Sequence, residues 1–197
     1  MNKIMSRELK ESAKTIEALS AASESIAEAA RTVIAAYKRG KKVLLIGNGG
    51  SAADAQHIAA ELAGRFKFDR PGLPAIALTT DTSVLTALAN DYGYENVFSR
   101  QVEALGSEKD VLIAITTSGA SPNIIKAVKA ARAKGVTVIS MTGARSDHSE
   151  LTGMSQVTIE VPSGNTPRIQ EGHTTIGHII CLLVEENLFG QPSNVSR

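Results

Sequence analysis

The chain has 197 residues, 43% of them hydrophobic, which suits one domain with a sizeable core. Lysine and arginine (21) nearly balance aspartate and glutamate (20), so no overall field favours nucleic acid or an anionic membrane, and a small molecule is the expected partner. The single cysteine, Cys181, excludes an intramolecular disulfide framework, no apolar run approaches the roughly 18 residues of a spanning helix, and Met1-Asn2-Lys3-Ile4 lacks a signal-peptide core; together these predict a soluble, cytoplasmic protein.

From Ser6 to Lys38 apolar residues such as Leu9, Ile16, Leu19, Ile26, Ala30 and Ile34 recur at helical intervals, predicting two helices that break near Ala21 to Ser23. Preceding the first strand, they cannot be crossovers of a βαβ unit; a subunit interface is one natural place for them. Val43-Leu44-Leu45-Ile46 then reads as a strand, cut off by Gly47-Asn48-Gly49-Gly50-Ser51 and followed at once by an alanine-rich helix. Such a loop lets backbone amides approach an anion or polyol closely while the helix points its positive dipole end at the same spot.

A turn-rich link, Phe68 to Pro74, leads to a short strand at Ala75 to Leu78. A helix start at Asp81-Thr82-Ser83 runs to Asn90-Asp91-Tyr92-Gly93, and a second helix covers Glu95 to Leu105. Strand three, Val111 to Ile115, ends in Thr116-Thr117-Ser118-Gly119-Ala120-Ser121-Pro122-Asn123. A helix from Ile124 to Lys134 follows, stopped by Gly135. Strands four (Val136 to Met141) and five (about Gln156 to Val161) precede a long helix near Arg168 to Leu188. Alternating strands and helices predict an α/β three-layer sandwich with a five-stranded parallel sheet, residues 40–190, behind the N-terminal helices of 1–39. Residues 191–197 form a polar tail expected to fray. Ligands of such sheets bind beyond the carboxyl ends of the strands, which puts the loops after strands one and three on one edge.

Thr116, Thr117, Ser118 and Ser121 offer four hydroxyls beside a helix N-terminus. That is a phosphate grip without lysine, and no P-loop pattern is present. Gly47 to Ala52 matches the dinucleotide fingerprint, but the acid that should follow about 20 residues later is replaced by the Asp69-Arg70-Pro71 turn. His57 and Glu61, four residues apart, share a helix face and could be an acid–base pair, metal ligands or a surface couple. On the last helix Gln170 and His178 lie about 80° apart and can face one side, whereas His173 is about 140° from His178; this makes His178 the site candidate and His173 the spare. His148 reads as solvated in a polar turn.

Asn48 to Leu62, the Asn90-Asp91-Tyr92-Gly93 turn, the Thr116 to Ser121 loop and Arg168-Ile169-Gln170-Glu171-Gly172-His173 through His178 together resemble the bacterial phosphoheptose isomerases, of the sugar-isomerase (SIS) fold. The resemblance implies a flavodoxin-like doubly wound sheet and a homotetramer that interconverts sedoheptulose 7-phosphate and glycero-manno-heptose 7-phosphate, on the way to lipopolysaccharide heptose. It implies substrate contacts from Asn48, Gly49, Gly50, Glu61, Asn90, Asp91, Thr116, Thr117, Ser118, Ser121 and Gln170, with Ser51 joining the phosphate grip. It further implies one zinc ion per subunit on His57, Glu61, Gln170 and His178. Some family members carry an acid where this chain has Pro167, so that carboxylate has no general role. Ketose-to-aldose conversion needs a base, an acid and oxyanion stabilisation, for which Glu61 and His178 are the expected pair. The alternative is a non-catalytic relative, a sugar-phosphate sensor or a scaffold for a replication initiator, which would have no use for Glu61 and His178 together.

Overall fold

In the computed structural model, which describes residues 1–144 and 149–190, five apolar runs become five parallel strands: β1 (Val43–Gly47), β2 (Ala75–Ala77), β3 (Val111–Ile115), β4 (Thr137–Gly143) and β5 (Val157–Val161). Their spatial order is β2-β1-β3-β4-β5, and the chain leaves β1 in one direction and β3 in the other. The register sets Ala77, Leu45, Ile113, Ile139 and Val157 side by side across the sheet. That row belongs to one apolar cluster, while the alternate residues Leu44, Ile46, Leu112, Ala114 and Val138 belong to a second. Every residue of β1 and β3 is buried, as a strand covered on both faces requires.

Among the described residues eight α-helices supply the cover: α1 (Asn2–Ala18), α2 (Ser23–Lys38), α3 (Gly50–Ala63), α4 (Thr82–Tyr92), α5 (Ser99–Leu105), α6 (Pro122–Ala133), α7 (Ser149–Met154) and α8 (Thr166–Phe189). Helices α2, α3 and α8 fill the first cluster, and α4 to α7 the second. The predicted break between the N-terminal helices is a 3-10 turn, Leu19–Ala22. Asp81 caps α4 by accepting from the Val84 amide, and Gly135 follows α6 at φ +70, both as the sequence requires.

Three local expectations need correction. The helix expected over Glu95 to Leu105 is a 3-10 turn, Tyr94–Asn96, followed by the short α5, because Val97 and Phe98 between them turn fully into the core. Strand β4 begins one residue late and runs on to Gly143, and α7 was not anticipated in the polar stretch before β5. The N-terminal helices also differ from each other. Ile26, Ala29, Val33 and Ala36 of α2 pack into the chain's own core, whereas α1 leaves Ile4, Met5 and Leu9 exposed. Among the described residues no helix is long and apolar enough to cross a membrane. Cys181 is a buried core thiol, its pKa pushed up to about 12 by burial. His148 and residues 191–197 lie outside the described residues.

Candidate active site

The site forms where β1 and β3 end. Helix α3 starts at Gly50 straight out of β1, with Gly49 at φ +56, a conformation an L side chain rarely adopts. Helix α8 lies against α3 closely enough that a Cβ on Gly50 would fall 2.3 Å from Gln170 Nε2 and one on Gly177 would fall 2.6 Å from Ile58. The two helices therefore run side by side in one register, residue 50 against 170, 54 against 174, 58 against 177. Thr174 donates to Asp54 across this seam at 2.8 Å, and burial raises the Asp54 pKa against the opposing pull of Thr174 and His57.

A turn further along the seam, His57 Nε2 and His178 Nε2 are 2.7 Å apart, their rings in edge contact, and Glu61 Oε1 is 3.7 Å from His57 Nε2. Ligand atoms of the three residues all lie within 4.8 Å of one another. Two imidazoles and a carboxylate are a borderline-ion donor set, and tetrahedral zinc holds donors roughly 3.3 Å apart, between the two closest spacings seen here. The residues fit a zinc ion. Gln170, expected as a fourth ligand, has its amide against Gly50, at the cradle end of the same seam.

His173 lies apart from this group. It is fully buried, its Nε2 3.2 Å from the Thr142 carbonyl oxygen, and burial drives its pKa down to about 4, the hydrogen bond only partly offsetting this.

In the hydroxyl loop, buried Thr116 accepts from the Gly119 amide and Ser118 from the Ala120 amide, so both hydroxyls shape the loop. Ser121 stands at the N-cap of α6 yet makes no side-chain cap hydrogen bond. Thr117 is half-buried, and Ser51 is buried at the start of α3.

The Asn48 amide is held by two other side chains. It exchanges two amide hydrogen bonds with Asn123, at 2.9 and 2.8 Å, and accepts a third from the Tyr94 hydroxyl at 3.1 Å. This clamp ties the loop after β1 to the start of α6. Asn90 and Asp91 are hydrogen-bonded to each other at the exposed end of α4, next to the segment that carries Tyr94. Asn123 and Tyr94 were missed in the sequence; their adjacency to the Ser121 loop and the Asn90-Asp91-Tyr92-Gly93 turn was the available signal.

A five-stranded sheet with this switch point, a hydroxyl loop on one side and a carboxylate–imidazole cluster on the other defines a sugar-isomerase (SIS) domain, and the SIS-domain family profile matches residues 8–143. A phosphoheptose isomerase of Burkholderia pseudomallei is 59% identical over 166 residues, covering 84% of this chain and 83% of that protein. The structure of a phosphoheptose isomerase from Neisseria gonorrhoeae superposes with a TM-score of 0.87 at 41% identity, over 94% of this chain and 98% of that one. One from Francisella tularensis gives 0.88 at 39%, over 94% and 97%. The chain belongs to the phosphoheptose isomerase family of SIS proteins.

Proposed function

We propose that this chain interconverts D-sedoheptulose 7-phosphate and D-glycero-D-manno-heptose 7-phosphate, with Glu61 and His178 moving the protons. The phosphate rests on the hydroxyls of Thr117, Ser118 and Ser121, joined by Ser51, and on the N-terminus of α6; Gly49 and Gly50 at the N-terminus of α3 take the sugar hydroxyls, with Gln170 beside them and Asn90 and Asp91 at the open end. Glu61 takes the proton from the carbon next to the carbonyl and returns it to the neighbouring carbon, passing through an enediol. His178 gives a proton to the oxygen, or assists ring opening. His57, Glu61 and His178, joined by Gln170 if its amide turns away from Gly50, would hold one zinc ion, which when bound would polarise the substrate carbonyl. A carboxylate has two oxygens, so one can ligate while the other takes a proton.

The observation that carries this reading is the convergence of His57, Glu61 and His178 beside the cradle, which a sugar-phosphate sensor would not need. Its test is aldose formation from sedoheptulose 7-phosphate by the purified protein, with and without a chelator. A protein that binds the ketose but forms no aldose under either condition sinks it. We also assign the chain to a cytoplasmic homotetramer of single-domain subunits that makes the precursor of lipopolysaccharide heptose. Its exposed α1 residues are the support for assembly.

A further inference from the structure

The turn Asp69-Arg70-Pro71, which the reaction does not call on, holds a side chain that is 2% exposed. Arg70 spends its guanidinium on one place. Nη2 donates to the Glu61 carbonyl at 2.9 Å, and Nη1 donates to those of Leu62 at 2.7 Å, Gly64 at 3.0 Å and Pro71 at 3.0 Å. Those of Glu61 and Leu62 lie in the last turn of α3, where carbonyls lack helical partners and a cation is favoured by the dipole. Arg70 Nε donates to Glu185 Oε1 at 3.1 Å, and the fully buried Glu185 also accepts the amides of Phe66 at 3.0 Å and Lys67 at 2.7 Å. Glu185 stands two turns beyond His178 on α8, and the Phe66 ring it fixes lies 5.6 Å from the His178 imidazole, tilted by 34°. One ion pair thus holds the backbone of Glu61 from one side and the ring that backs His178 from the other. A buried ion pair is weak as a source of stability, because desolvation offsets its attraction. Its geometric product is the fixed relation between the end of α3, the connector and α8.

We propose that Arg70 and Glu185 are positioning residues for the isomerase reaction, setting Glu61 and His178 at their working separation without touching substrate. The proposal rests on the acid–base reading above. Lysine in place of Arg70 keeps the charge opposite Glu185 but, as a compact point donor, cannot span the four carbonyls.

The test is Arg70→Lys in the full-length protein, with turnover and the ring C–H NMR signals of His178 and His173 measured together. Misplacement by a fraction of an ångström should lower kcat by about tenfold to 10²-fold, while KM stays within about threefold because the hydroxyl loop is untouched. The His178 signals should shift as the Phe66 ring moves, and those of His173, buried on the other side of α8 against Thr142, should not. Glu185→Gln, which keeps the size of Glu185 but removes its charge and one of its two acceptor oxygens, should likewise lower kcat and shift the His178 signals, and keeps the test open if Arg70→Lys does not fold. Wild-type kcat, an unmoved His178 signal, or His173 moving along with His178 as in general loosening would each overturn the proposal. Glu61→Gln made alongside keeps the two readings apart: full turnover there removes the acid–base roles, whereas the His178 shift still reports whether Arg70 sets the site.

Discussion

His57 and His178, 121 residues apart in the chain, meet Nε2 to Nε2 at 2.7 Å because α3 and α8 pack in register over Gly50 and Gly177. At most one of the two can donate when both are neutral, so the arrangement is a hydrogen bond or, with Glu61, a metal seat.

Glu61→Gln and His178→Ala should each lower turnover by roughly 10² or more, the usual scale for general acid–base catalysis. Glutamine keeps the size of Glu61 but cannot accept a carbon-bound proton, so substrate binding by calorimetry should survive far better than catalysis. Solvent-deuterium incorporation at C1 or C2 separates proton abstraction from other losses. Exchange at the wild-type rate in Glu61→Gln would move the base to another residue, with His57 the next candidate.

Zinc should be present at about one ion per chain and depend on the seam. His57→Ala, removing one of two imidazoles, should reduce metal content by about tenfold or more after dialysis, read by elemental analysis. Unchanged content in that variant would place the metal elsewhere.

The hydroxyl loop predicts a KM effect without a kcat effect. Ser118→Ala with Ser121→Ala removes two neutral donors to a dianion, each worth about 1.5–3 kcal/mol. KM for the sugar phosphate should therefore rise about tenfold or more. An unchanged KM in a folded double variant contradicts the phosphate assignment.

His173 predicts a particular pH dependence of stability. Its folded pKa, about 4, lies below the ordinary 6.5, so between these values the unfolded chain binds a proton that the folded one refuses. Its contribution is fully present above pH 6.5 and is lost as pH falls towards 4, amounting to about 3 kcal/mol across that window. Urea midpoints at pH 7.0 and 4.5 should differ less in His173→Leu than in the wild type. Equal differences would mean that His173 takes up its proton while folded.

Helix α1 predicts assembly. Ile4, Met5 and Leu9 are 58%, 55% and 71% exposed on a helix in which Thr15 alone is buried. Sedimentation should give a tetramer, and Leu9→Glu, which buries a charge in any interface formed there, should shift it towards smaller species. A wild-type monomer at micromolar concentration would rule the assembly out.

The sheet was legible in the residues alone, because runs such as Val43 to Ile46 and Val111 to Ile115 are apolar at every position, short, rich in branched side chains and closed by turn residues, as strands covered on both faces are. So were the cradle, since glycines between a strand and a helix leave few backbone paths, and the pairing of His57 with Glu61, since 3.6 residues per turn fixes angles within one helix. The same periodicity separated His178 from His173. What the sequence could not supply was distance between elements. That His57 reaches His178, that Gln170 ends against Gly50, that Asn48 is held by Asn123 and Tyr94, and that Arg70 reaches back from its turn to the Glu61 carbonyl all follow from how closely α8 settles on α3 and α6 on the sheet. Those approaches are set by small residues meeting large ones from distant parts of the chain, such as Gly177 against Ile58, and such a meeting leaves no periodic trace in either segment alone.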